Sequence, residues 1–146
     1  MKQVQHGIHI GNASDARNKA LISKLGIKAV VDLAIEEPPS TPLQDLISYR
    51  FPLHDGEGNS QAILQLAITS IHSLLVTGIP CLVACSAGVS RSPLIAAAAM
   101  SQYQNESIQD VLHRIALFHS LDVSPILFKD VSMAVDTIKP LSHPKT

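Results

Sequence analysis

Apolar and polar positions along the chain change period several times, and the changes read as strands alternating with helices. Ile8 to Ile10 alternates as a short strand, and Gly11-Asn12 turns the chain. Ser14 stands as N-cap of a helix from Asp15 to Leu25, which Gly26 ends. Ile27 to Leu33 is β-branched and mostly apolar, the pattern of a strand covered on both faces. Glu36 to Pro42, rich in proline, is excluded from regular structure because proline removes donors and pushes the preceding residue out of the helical region. Ser48 to Pro52 predicts another short strand, followed by the polar loop His54 to Asn59 with Gly56 and Gly58.

The second half repeats the alternation with longer helices. Ser60 caps an amphipathic helix whose Ile63, Leu64, Leu66, Ala67, Ile71, Leu74 and Leu75 keep helical spacing up to Gly78. Pro80 to Cys85 reads as a strand and Arg91 to about Tyr103 as a helix, apolar on every side from Leu94 to Met100 and so predicted to be central and buried. Ser107 with Asp110 resembles a capping box for a helix to about Phe118, and Ser124-Pro125 opens a last helix to about Ile138. This order predicts an α/β fold: a mainly parallel sheet of four to five strands flanked by helices on both sides. With no repeat and no dividing linker, the expectation is a single domain over residues 1–146 with its core at about 7–138.

Composition agrees, because 46% apolar against 16% charged residues suits one compact core in 146 residues. Eleven basic residues face twelve acidic ones, and no basic cluster exceeds a pair. Nucleic acid and an anionic membrane are therefore not expected as partners. The apolar run Leu94 to Met100 is far shorter than the roughly 20 residues of a membrane span. Met1 to His6 carries no apolar segment of a signal peptide, so the expected location is cytoplasmic. Nothing in the pattern fixes an oligomeric state. Cys81 and Cys85 sit in one predicted strand about 13 Å apart, beyond the ~7 Å reach of a disulfide. The seven histidines are scattered and form no metal-ligand spacing with them.

Chemistry concentrates in Cys85-Ser86-Ala87-Gly88-Val89-Ser90-Arg91-Ser92. A cysteine ends a buried strand, an arginine follows six residues later at a helix start, and small residues between them let the backbone curl with its N–H groups inward. Ser86, Ala87, Gly88, Val89 and Ser90 would then bind an anion through their amides, completed by the planar Arg91 fork. The same field favours a thiolate at Cys85, a nucleophile aimed at phosphorus. Cys81 reads as buried packing.

This segment resembles the signature loop of the cysteine-based protein-tyrosine phosphatases, and Ala-Gly-Val-Ser-Arg-Ser is similar to their dual-specificity branch. The resemblance spans about residues 7 to 135. His9-Ile10-Gly11-Asn12 looks like the family's N-terminal segment, Gly26 to Leu33 like its first core strand, and Ser124-Pro125 with Phe128 like its closing helix. It implies the phosphotyrosine protein phosphatase-like fold, a phosphocysteine mechanism, and no metal or organic cofactor. It also implies a general acid about 30 residues before the nucleophile. Asp55 stands there, with His54, Glu57 and Asp32 as rivals. By the same resemblance Ser92 donates its hydroxyl to the cysteine sulfur.

One position departs from the pattern: Ala84 replaces the histidine that usually precedes the cysteine. That implies a slower enzyme or a more alkaline optimum, and it opens the alternative of a catalytically weak or inactive phosphate-binding module. The loop holds no lysine, which disfavours a polyanionic lipid head group. The expected substrate is a phosphorylated protein or peptide, phosphotyrosine first, with phosphoserine and phosphothreonine left open. A sulfur-transfer or arsenate-reducing enzyme is the remaining alternative, and it gives no role to Asp55 or Ser92.

Overall fold

A computed structural model describes residues 1–39 and 43–138. In chain order the elements are β1 (Lys2–Gln3), β2 (Ile8–Gly11), α1 (Ala13–Ala16), α2 (Lys19–Lys24), β3 (Ala29–Ala34), β4 (Ile47–Leu53), α3 (Gln61–Thr77), β5 (Cys81–Ala84), α4 (Arg91–Gln104), α5 (Ile108–Ala116) and α6 (Pro125–Thr137). They build one five-stranded sheet in the order β1-β2-β5-β3-β4. The pairs β2–β5, β5–β3 and β3–β4 are parallel, and only the edge strand β1 runs antiparallel.

The period of two along the strands divides their side chains between unequal layers. Cys81 and Val83 of β5, with Ile8 and Ile10 of β2 and Val31 of β3, face the large core made with α3, α4, α5 and α6. Leu82, Ala84 and Val30 face the other way, into a smaller cluster with Ile22 of α2 and Ile27, against which Met1, Ala16 and Leu46 pack. The uniformly apolar helix α4 lies inside the large layer: Leu94 to Ala99 are fully buried and Met100 nearly so, as their sequence predicts. Ser60, Ser107 and Ser124 all cap, each accepting a hydrogen bond from the backbone three residues on.

Two features differ from the expectation. The helix predicted over Asp15 to Leu25 is two short helices, capped by Asn12 and Asn18 rather than by Ser14. Asn12 and Asp15 form a reciprocal capping box, and the Asn18 side chain accepts from Leu21 N–H, so the chain closes one turn at Arg17 and starts again. Strand β1 carries no alternation in its two residues and exists only through pairing with His9 and Ile10. Of the proline-rich stretch, Ser40, Thr41 and Pro42 lie outside the described residues.

In a parallel sheet, ligand sites form beyond the carboxyl ends of the strands. Here Asn12 follows β2, Glu36 follows β3, Asp55 follows β4 and Cys85 follows β5. Four residues far apart in sequence thereby reach one edge.

Candidate active site

Cys85 leaves β5 buried, with its backbone N–H on the Gly11 carbonyl at 3.3 Å. The chain then curls through Ser86 to Ser90 into α4. Gly88 takes φ +78° and passes so close to β2 that a Cβ there would stand 2.9 Å from the carbonyl carbon and oxygen of Gly11. A non-glycine side chain fits neither the angle nor the space.

Around the thiol the contacts are short and specific. Cys85 Sγ donates to Ser92 Oγ at 3.3 Å, Ser92 Oγ donates to the Gly11 carbonyl at 3.3 Å, and Ser92 N–H donates to Sγ at 3.4 Å. Ser92 is fully buried, so a hydroxyl rotor beside the sulfur can accept from a thiol or donate to a thiolate without moving its oxygen.

Ser90 is N-cap of α4 by position, yet its side chain makes no capping bond. Its hydroxyl donates instead to Asp55 Oδ1 at 2.6 Å and accepts from Ser124 N–H at 3.2 Å. Two consequences follow: the first amides of α4 are left to an anion, and Asp55 is tied to the loop that holds the cysteine. The rivals are not placed this way. Asp32 pairs with Arg50 at 2.7 Å. The backbone of His54 is bonded twice to the Asn59 side chain, which also holds the Gly56 carbonyl and so braces the turn.

Arg91 is buried, and its fork meets a partner that the sequence reading left unassigned. Its Nη1 and Nη2 reach the two carboxylate oxygens of Glu36 at 2.6 and 2.5 Å, and Nη1 also donates to the Leu53 carbonyl at 2.8 Å. Burial works against the Arg91 charge, but Glu36 above all, then Cys85 and Asp55, hold its pKa above the ordinary value. The hydrogen bonds from Arg91 pull Glu36 down to about 2 against the opposing effect of burial, with Ser86 adding to the drop. Ser86 Oγ lies 2.7 Å from Glu36 and 3.0 Å from Glu37, one proton serving both carboxylates. Arg91 Nε is buried with no hydrogen-bond partner, which leaves that edge of the guanidinium to an incoming anion.

The expected residues thus assemble: Cys85, Arg91, Ser92 and the loop 86–90 form one cradle, and Asp55 touches it through Ser90. Glu36 was missed because its only signal is an acidic pair before Pro38-Pro39, 55 residues from its arginine. His119, one of the seven scattered histidines, places Nε2 2.6 Å from the Gly88 carbonyl. Ala84 packs with Leu82 in the thinly covered layer. Cys81 is sealed in the large core, where burial pushes its thiol up to about 12. Both cysteines are free. Among the described residues, no helix is long and apolar enough to cross a membrane.

Comparison with known proteins places this geometry. The family model described as dual specificity phosphatase, catalytic domain, matches residues 8–121. Dual specificity protein phosphatase 15 of Homo sapiens is 32% identical over 110 residues, which cover 75% of this chain and 37% of that protein. The Mus musculus protein of the same name is 31% identical over 116 residues, covering 79% and 48%. Dual specificity protein phosphatase 22 of Homo sapiens is 28% identical over 116 residues, covering 79% and 62%. The chain spans less than two thirds of the length of each of these relatives. The crystal structure of DUSP15 superposes with a TM-score of 0.79 at 25% identity, covering 97% of this chain and 88% of that one. Human DUSP28 shares the fold at a TM-score of 0.83 and 17% identity, covering 97% of this chain and 100% of that one.

Proposed function

Because the chain belongs to the dual specificity phosphatase catalytic-domain family, we propose that it hydrolyses phosphate monoesters on proteins or peptides through a phosphocysteine intermediate. The observation that carries the reading is the buried Arg91 fork, fixed by Glu36 with Nε unsatisfied, beside a cysteine whose sulfur already receives the Ser92 amide.

In the first step Cys85, reacting as the thiolate, attacks phosphorus through Sγ, the S–P bond forms and the ester P–O bond breaks. Asp55 gives its proton to the departing oxygen. The loop amides of residues 86–91 and the Arg91 Nε edge take the charge that spreads over the equatorial oxygens. In the second step Asp55 takes a proton from water, the water oxygen attacks phosphorus and the S–P bond breaks. The Ser92 hydroxyl turns from the Gly11 carbonyl to donate to the leaving sulfur. No step in this sequence calls on a metal or an organic cofactor.

A binding module without turnover would have no use for an aspartate bonded to the loop or a buried hydroxyl against the thiol, and both contacts favour hydrolysis. The carboxylates of Glu36 and Glu37 stand beside Ser86, which disfavours a polyanionic lipid head group and favours a phosphorylated side chain of a protein. The proposal takes residues 1–146 as one catalytic domain with its core at about 7–138, which the single sheet and its continuous core support. It also carries forward a cytoplasmic location, which cell fractionation tests.

The experiment is an aryl phosphate assay run with chelator and without added metal, on the wild type and on Cys85→Ser and Asp55→Ala. Chelator-resistant turnover that is abolished in Cys85→Ser supports the proposal. Full activity in Cys85→Ser refutes the mechanism, and phosphopeptide binding by a wild type that never turns over establishes the binding module instead.

A further inference from the structure

A loop that turns its N–H groups toward an anion must turn its carbonyls outward, and each outward carbonyl needs a donor behind it. Three carbonyls of this loop find donors in other parts of the chain. The Ser86 carbonyl accepts from Ala13 N–H at 3.2 Å, and the Val89 carbonyl accepts from Asp122 N–H at 2.9 Å. The third, that of Gly88, is served by the His119 side chain at 2.6 Å. A carbonyl only accepts, so Nε2 of His119 carries the proton of this bond.

The bond falls where the loop is least constrained by its own sequence. Gly88 is the positive-φ residue of the curl, and without a Cβ its peptide planes can rotate most freely. Rotation of the Gly88–Val89 peptide would turn the Val89 amide away from the anion. The carbonyl of that peptide is the one His119 holds. His119 belongs to the connection between α5 and α6, which braces the loop twice more, through Asp122 N–H to Val89 and through Ser124 N–H to Ser90 Oγ. Position 84, just before the cysteine, brings no donor, since Ala84 lies in the apolar layer with Leu82. Among the described residues, His119 supplies the one imidazole hydrogen-bonded to this loop.

We propose that His119 is a positioning residue of the phosphate loop, holding the Gly88–Val89 peptide so that the Val89 amide faces the bound phosphoryl group. The proposal rests on the phosphatase reading above and adds to it a residue outside the signature segment. His119 acts through the peptide it anchors and not on the substrate itself.

Two variants of equal polarity and unequal reach test it. Glutamine carries its amide nitrogen at about the distance of Nε2 from the backbone, whereas the asparagine amide ends near the place of Nδ1 and falls short of the Gly88 carbonyl. His119→Asn is expected to lower kcat/KM for an aryl phosphate about tenfold, the worth of one buried hydrogen bond in the transition state. It is expected to weaken inhibition by vanadate by a similar factor. His119→Gln is expected to restore both to within about twofold of wild type, the two variants melting at the same temperature. His119→Asn within twofold of wild type in both readouts overturns the proposal, as does His119→Gln no better than His119→Asn. A wild type without turnover or vanadate inhibition would refute the phosphatase reading itself, an outcome distinct from either of these.

Discussion

Replacing Gly88 by alanine perturbs the site in two separable ways, and a second glycine isolates one of them. Gly26, at φ +70°, has nothing within 4 Å of the place where a Cβ would stand. Gly26→Ala therefore meets only the left-handed backbone penalty of about 1–2 kcal/mol. Gly88→Ala meets the same penalty at φ +78° and also drives a methyl to 2.9 Å from the Gly11 carbonyl, a backbone neighbour that cannot swing aside. Displacing Gly11 lengthens the bonds its oxygen accepts from Cys85 N–H and Ser92 Oγ, both already 3.3 Å. At about 0.5–1.5 kcal/mol for each, the loss at Gly88 comes to roughly 2–5 kcal/mol. For a domain of this size about 1 kcal/mol corresponds to ~4 °C. Thermal melts should then place Gly88→Ala at least roughly 4 °C below Gly26→Ala. The folded Gly88→Ala protein should have lost vanadate binding, which Gly26→Ala retains. Equal melting temperatures with vanadate binding intact in Gly88→Ala would refute the reasoning, because the loop would then not be pressed against β2.

Other consequences are as direct. The Glu36 carboxyl sits at about 2 in the folded chain against an ordinary 4.5, so the stability it adds is complete above pH 4.5 and is lost as pH falls toward 2. Melts of wild type and Glu36→Gln should differ by a constant amount from pH 5 to 8 and converge near pH 2; convergence already at pH 5 would contradict the Arg91 pairing. Ser124→Ala removes the α6 cap and should cost about 1 kcal/mol in a melt, while leaving kcat unchanged because the bond to Ser90 uses the backbone of residue 124. Ser90→Ala should lower kcat, since Asp55 loses its hold on the loop, and should also cost about 1 kcal/mol in a melt because Ser124 N–H loses its acceptor.

The legible part of the site was the part written in consecutive residues. A strand, a run of small residues and a helix start place Cys85, Arg91 and Ser92 together by local geometry alone, and the structure assembles them so. Asp55 was legible only by its distance from Cys85 within a family pattern, and its contact with Ser90 depends on β4 and β5 ending at one edge of the sheet. Glu36 and His119 left no such trace. Each reaches the loop from a connection whose path is set by tertiary packing, and an acidic pair before prolines or a histidine after a helix looks the same when it faces solvent. The division at Arg17 failed for a different reason: Asn12 and Asn18 offered side-chain oxygens that outcompeted one continuous helix, and the apolar pattern across them did not register it.

The central claim is that phosphorus passes through Cys85. Rapid quench in acid, followed by peptide mass spectrometry, measures it most directly, using an aryl phosphate whose phenolate departs without protonation so that Asp55→Asn slows only the attack by water. A phosphoryl group is expected on the peptide containing Cys85, increased in Asp55→Asn and gone in Cys85→Ser. Turnover with no phosphoryl group on Cys85 under these conditions, or a phosphoryl group carried by another residue, would contradict it.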